Sequence, residues 1–265
     1  MKIIVCSLGI NDWYRDIVKY SINNLDYYCK KNGYEFIFQT ENSEDTVFDG
    51  QRPPCWYKIK LIKKILEENT DCDYVFWVDI DCQLLNHDLL LEYFIKKYFE
   101  EDTQLLLTQD NNVLNTGVMF IKNTQYNKDL MDRIWNEKVD DYFQDFHEQT
   151  VLANLYQNNE DVKKHVKILP YGTKDELVIY WSSYFPKKVF LIHCARCTHD
   201  KLGFMFMMDT YYPFKLEEEN YDEYNLRMDW LNKEEICRYD IDKWIKGEYA
   251  PRRYSARCKK IFNVL

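Results

Sequence analysis

Two aspartates stand directly behind a fully apolar run: Asp79-Ile80-Asp81 follows Tyr74–Val78, read YVFWV. A short run of this kind is the signature of a central strand covered on both faces. In an extended segment Asp79 and Asp81 point the same way. Open α/β sheets bind their ligands at the carboxyl ends of the strands. Two carboxylates there are hard oxygen ligands for Mg²⁺ or Mn²⁺, which in turn neutralise a diphosphate. Two acidic residues that merely terminate a strand would read the same.

Other clusters offer competing chemistry. His147-Glu148-Gln149 opens HEQTV, but Val151 stands where a zinc protease needs its second histidine, and that reading fails. A glutamate at the start of a helix is also what the helix dipole alone favours. His193-Cys194-x-x-Cys197-x-His199 invites zinc, yet one Cys-x-x-Cys without a partner pair is a weak signal. A phosphatase of the haloacid dehalogenase type also carries Asp-x-Asp behind a hydrophobic strand. It needs that strand to be its first, with Thr or Val two residues past the second Asp, where this chain has Gln83. Lys58 is either a cation for a phosphate or one more solvated lysine of a lysine-studded helix.

The elements that must position these residues alternate. Lys2–Leu8 reads as a buried strand, and Trp13, Ile17, Tyr20, Leu25 and Tyr28 keep a helical spacing that Asn32-Gly33 ends. Tyr34–Phe38 is a second strand, and residues 39–54, with Gly50 and Pro53-Pro54, are a loop. Trp56–Leu66 puts Ile59, Ile62, Ile65 and Leu66 on one helical face. Strands are expected at Tyr74–Val78, Gln104–Thr108, Gly117–Ile121, Val166–Leu169 and Val189–His193, with helices from about Thr124 to Val139 and from near Glu148. Strands alternating with helices predict an α/β sandwich on a mostly parallel sheet, within a domain of residues 1–214. Residues 215–265, charged and aromatic with a basic end, are expected to form a helical C-terminal extension packed on the core or reaching a partner.

Arg52–Asn86 resembles the glycosyltransferase family that contains xyloglucan xylosyltransferases and fungal α-galactosyl- and α-mannosyltransferases (family 34). It has that family's Pro-rich loop, Trp-x-Lys helix and WxDxD strand in order. The resemblance extends to YYCKKNGYEFIF (27–38), LTQDNNVLNTGVMFIKNTQ (107–125), HEQTVL (147–152) and VFLIHCARC (189–197), and so covers roughly residues 3–201. It implies a nucleotide-binding GT-A fold and a metal-dependent, retaining transfer of a sugar from a nucleoside diphosphate sugar, UDP-sugars ahead of GDP-mannose. The acceptor would be a glycan or another hydroxyl. The alternatives are a nucleotide-sugar- or glycan-binding protein without turnover and, behind it, the phosphatase.

The resemblance also distributes roles. Asp81 is the first choice for a metal ligand, with Asp79 sharing the metal or holding the donor ribose, and His193 the third protein ligand. The ion would be Mn²⁺, with Mg²⁺ as the substitute. Lys58 and Arg196, with Lys201 in reserve, would face the diphosphate; the family's lysine after its HFxGC segment is replaced here by Thr198. Asn115-Thr116-Gly117 reads as a turn opening a strand, where the missing Cβ of Gly117 would let a sugar approach the backbone. Asp110 would bind sugar hydroxyls, or is a loop aspartate. Glu148, standing for a family Asp, and Gln149 would lie beneath the sugar carbon that becomes cationic. Ser7 and Leu8 would line the base pocket.

Composition is that of an ordinary globular protein. The 265 residues carry 44 acidic against 35 basic side chains, a formal charge of −9, which argues against a nucleic-acid binder. Aromatic residues at 17% exclude a disordered chain. Nine scattered cysteines read as reduced, buried thiols. Without a signal peptide, an apolar run of about 18 residues or an Asn-x-Ser/Thr acceptor, the expectation is a cytoplasmic protein, or one trimmed of a Golgi anchor, with no transmembrane segment. A homodimer through the C-terminal extension is a further possibility. Trp181, Tyr184, Tyr211 and Tyr212 are candidates for a sugar-stacking surface.

Overall fold

The computed structural model describes residues 1–10, 12–110, 113–137, 147–170, 176–180 and 189–193, with the backbone alone for 12–20, 179 and 180. The expected extension at 215–265 therefore lies outside the described residues. Nine strands and six helices are present among them: β1 (Ile3–Gly9), α1 (Asp12–Asn32), β2 (Glu35–Thr40), α2 (Tyr57–Glu68), β3 (Tyr74–Val78), β4 (Cys82–Leu84), α3 (Leu91–Tyr98), β5 (Leu105–Thr108), β6 (Asn115–Lys122), α4 (Gln125–Asn136), α5 (Glu148–Asn158), α6 (Glu160–His165), β7 (Val166–Leu169), β8 (Val178–Tyr180) and β9 (Leu191–His193). No described helix is long and apolar enough to cross a membrane.

The main sheet runs β2-β1-β3-β6-β5-β7 and is parallel except for β6, which lies antiparallel to β3 and β5. Alternation on β3 sends Val75 and Trp77 into one core and Phe76 and Val78 into another. The YVFWV run is apolar throughout because both of its faces are packed. Helices α2 and α4 cover the Trp77 side, while α1, α3 and a small sheet of order β4-β9-β8 cover the Phe76 side. Burying Phe76, Trp77 and Phe120 contributes roughly 2–3 kcal/mol each, which fixes the strand that delivers the aspartates. That strand is the third in chain order, not the first that a haloacid-dehalogenase-type phosphatase needs.

Gly33 ends α1 at φ +76°, and Tyr34 N–H closes the turn on Cys29 O at 2.9 Å. α1 also clamps the segment behind β3. Ser21 Oγ donates to Ile80 O, and Asn24 brackets Leu84 by accepting from its N–H at 2.8 Å and donating to its C=O at 3.1 Å. The expected turn at Asn115–Gly117 needs correction. The positive φ falls on Val113 (79°), and Asn115–Gly117 already belongs to β6.

Candidate active site

β1 and β3 end side by side, and a cleft of about 120 Å³ opens at their carboxyl edge. Leu8 and Ile10 from β1 and beyond, Pro54 and Cys55 from the turn before α2, Lys58 from its first turn, and Trp77, Asp79, Ile80 and Asp81 form its lining. Pro53-Pro54 starts a single 3-10 turn, Pro54–Trp56, that feeds α2 and buries Trp56. That turn points the first residues of α2 at the strand ends.

Lys58 is not a surface lysine. It is 4% exposed, while Lys60, Lys63 and Lys64 of the same helix pair on the outside with Asp49, Asp132 and Asp45. Lys58 Nζ donates to both Asp79 oxygens at 2.8 and 3.1 Å and to Thr116 O at 3.4 Å, and lies 3.2 Å from Glu148 Oε1. Burial alone would pull its ammonium down; the Asp79 and Glu148 carboxylates outweigh that and hold it above the usual lysine range. Trp77 Nε1–H donates to Asp79 Oδ1 at 2.7 Å. Trp77 and Asp79 share a face by strand alternation, a signal present in the sequence and missed as a functional one.

Asp81 lines the same cleft but takes a different partner. Its Oδ1 lies 3.2 Å from His193 Nε2, a partner delivered by β9 of the small sheet. Burial opposes charge on both groups, but each favours the charged form of the other: Asp81 is held below the usual carboxylate range and His193 above the usual imidazole range. Asp81 and His193 thus come together as the resemblance implies, whereas Asp79 is committed to Lys58 and Trp77. A carboxylate and an imidazole facing each other beside the cleft are a fitting donor set for a divalent cation.

Gly117 serves His193 more directly than it serves a ligand. A Cβ there would meet the imidazole ring at 2.1 Å, so the space that the glycine leaves is filled by His193. This corrects the expectation of room for a sugar over Gly117. Gly117 O also accepts from Asp79 N–H at 2.7 Å, extending the β3–β6 ladder to the first aspartate.

α5 starts against β6. Thr116 N–H donates to Gln149 Oε1 at 3.1 Å, and Thr116 Oγ1 donates to Glu148 Oε1 at 3.0 Å. Glu148 is 3% exposed, and its second oxygen, Oε2, is buried with no hydrogen-bond partner among the described residues. The preceding His147 adopts φ 55°, ψ −126°, a backbone region that only glycine enters without strain. Asp110 accepts from Asn115 Nδ2 at 3.1 Å, and Asn115 Oδ1 accepts from Gly117 N–H at 2.8 Å. Leu8, Lys58, Asp79 and Asp81 therefore line the cleft, and Glu148 and Thr116 join it through Lys58. Ser7 is fully buried and is not among the lining residues. Arg196, Lys201, Trp181, Tyr184, Tyr211 and Tyr212 lie outside the described residues, as do Cys194, Cys197 and His199.

Solved structures share this arrangement of strands and helices. A glycosyltransferase involved in glycosylation of the major capsid of PBCV-1 superposes with TM-score 0.62 at 14% identity, covering 79% of this chain and all of that one. The glycosyltransferase GlyE of Streptococcus pneumoniae gives 0.51 at 11%, covering 88% and 64%. The fold is of the GT-A type. In sequence, an uncharacterised alpha-1,2-galactosyltransferase of Schizosaccharomyces pombe is 26% identical over 194 residues, 62% of this chain and 50% of its own length. A probable alpha-1,6-mannosyltransferase of Saccharomyces cerevisiae, MNN10, is 24% identical over 183 residues, 58% and 46%. Xyloglucan 6-xylosyltransferase 4 of Arabidopsis thaliana is 27% identical over 134 residues, 48% and 24%. The chain spans about half the length, or less, of these curated relatives. A model of the galactosyl transferase GMA12/MNN10 family matches residues 5–100 and 93–226, which takes in β3, Asp79, Asp81, Glu148 and His193. The chain belongs to the galactosyl transferase GMA12/MNN10 family.

Proposed function

We propose that this protein is a metal-dependent, retaining glycosyltransferase that moves a hexose or pentose from a nucleoside diphosphate sugar to a hydroxyl of a glycan or similar acceptor. The observation that carries the reading is the pairing of Asp81 with His193 beside a cleft at the carboxyl edge of β1 and β3. The relatives are named for galactosyl, mannosyl and xylosyl transfer, and that range supports a pyranose donor without choosing one. UDP-sugars rank first and GDP-mannose second.

Asp81 and His193 would hold Mn²⁺, or Mg²⁺ in its place, and the ion would offset the charge of the donor diphosphate. Asp79, its carboxylate anchored by Lys58 and Trp77, is left to accept from the donor ribose. Leu8 offers an apolar wall to the base. Glu148 and Gln149, locked onto Thr116, would sit beneath the anomeric carbon. There the charge of Glu148 stabilises an oxocarbenium-like transition state while the departing phosphate takes the acceptor proton. Lys58, bonded to both, offsets the repulsion between the Asp79 and Glu148 carboxylates and holds them in place. Asp110 and Asn115 would meet sugar hydroxyls, and Arg196 and Lys201 the diphosphate.

Calorimetry with UDP and GDP tests the binding half of this proposal. One nucleotide should bind in Mn²⁺, lose at least roughly tenfold in affinity in EDTA, and lose as much in Asp81→Ala. Equal binding with and without the metal would contradict it.

A further inference from the structure

Cys82 has no part in the roles above, although it sits against the candidate metal ligands. It opens β4 and is the cross-strand partner of His193 in the antiparallel β4–β9 ladder, so the two side chains leave the same face. A turn closed by Cys82 N–H on Asp79 O, at 3.0 Å, swings the Asp81 carboxylate towards that face. The ligand atoms of Asp81, Cys82 and His193 all lie within 4.8 Å of one another. A tetrahedral ion bound at about 2.0 Å to nitrogen or oxygen and about 2.3 Å to sulfur needs donors roughly 3.3–3.7 Å apart. Asp81 and His193 are already at 3.2 Å, so closure asks at most about 1–1.5 Å of the Cys82 side chain. Its Sγ, fully buried, lies 3.9 Å from Gly117 O, a weak thiol contact.

We propose that the Cys82 thiolate is a third protein ligand beside Asp81 and His193, and that this sulfur widens the affinity gap between Co²⁺, Zn²⁺ or Cd²⁺ and the harder Mn²⁺ and Mg²⁺, which bind the same site more weakly. The proposal rests on the reading of Asp81 and His193 as metal ligands. Binding forms a metal–sulfur bond in place of a metal–water bond and releases the thiol proton to solvent, with no change of oxidation state. Carboxylate and imidazole alone already follow the Irving–Williams order, and a thiolate adds a soft donor that steepens it. Three protein ligands leave the remaining positions to an anionic ligand such as a diphosphate.

The test titrates Co²⁺ into the whole chain, held reduced by a thiol-free reductant, and follows absorption and heat together. Wild type should develop a near-ultraviolet sulfur-to-cobalt charge-transfer band at one equivalent. Cys82→Ser should lose the band and bind Co²⁺ at least roughly tenfold more weakly, since even outer-shell losses cost 10–100-fold. Its Mn²⁺ affinity should fall by less than the Co²⁺ affinity. Co²⁺ binding without the band, or a band that survives in Cys82→Ser, overturns the role of Cys82. Failure of both Mn²⁺ and Co²⁺ to bind wild type, or undiminished binding in Asp81→Ala, overturns the underlying metal reading instead. Should Cys82→Ser fold poorly, X-ray absorption of the Zn²⁺-loaded wild type decides: a sulfur neighbour at about 2.3 Å supports the proposal, and its absence refutes it.

Discussion

Lys58→Met removes the one buried cation that holds Asp79 and Glu148 among the described residues. At about 3 Å and an effective dielectric of 20, each carboxylate attracts the ammonium by about 5 kcal/mol before desolvation is subtracted. Breaking a buried ion pair from one side costs about 3–5 kcal/mol, because the remaining charge stays buried and uncompensated. Here two carboxylates would remain, one of them 3% exposed. The substitution should therefore destabilise the protein by about 3–5 kcal/mol in urea unfolding followed by tryptophan fluorescence. Adding Glu148→Gln to Lys58→Met should restore part of that loss, giving a coupling energy of about 1–3 kcal/mol in the double-mutant cycle. A single-mutant cost below about 1 kcal/mol, or additive effects, would refute a triad organised by Lys58.

Two further predictions concern the frame around the site. His147→Gly should stabilise the fold by about 1 kcal/mol, because glycine enters φ 55°, ψ −126° without strain; a destabilised variant in the same urea assay would show that the conformation is comfortable. Burial and the nearby Lys31 hold His87, packed beside β4 on Asn24, down to about 4 from an ordinary 6.5. The unfolded chain then takes up a proton that the folded chain refuses. The His87 contribution to stability should be flat above pH 6.5 and fall by on the order of 3 kcal/mol as the pH drops to about 4. His87→Gln should flatten that slope; an unchanged slope would exclude His87 as its source.

Much of this frame was legible in the sequence because it depends on local pattern. YVFWV gave β3 at its observed bounds, since a strand packed on both faces leaves a continuous apolar run. Asn32-Gly33 marked the end of α1 for a backbone reason that any sequence carries. Gly117 was visible as special, yet its purpose was not, because the His193 ring that fills its space arrives from a strand 76 positions later. β4 and β8 are three residues each and were missed, as were α3 and α6. The two strands are set by long-range pairing in the small sheet rather than by alternation. The same pairing hides Cys82, whose position opposite His193 is a matter of register. Lys58 looked like its neighbours Lys60, Lys63 and Lys64; only the packing of α2 on the sheet separates the buried lysine from the surface ones.

Transfer chemistry at this cleft stands or falls on turnover of a nucleotide sugar. Purified protein mixed with Mn²⁺ and a panel of UDP- and GDP-sugars should release nucleoside diphosphate from one donor, slowly to water and faster with a glycan acceptor. The release should vanish in EDTA and in Asp81→Ala. Release that persists in EDTA, tight donor binding without any release, or phosphate release from phosphomonoesters instead would contradict a metal-dependent glycosyltransferase.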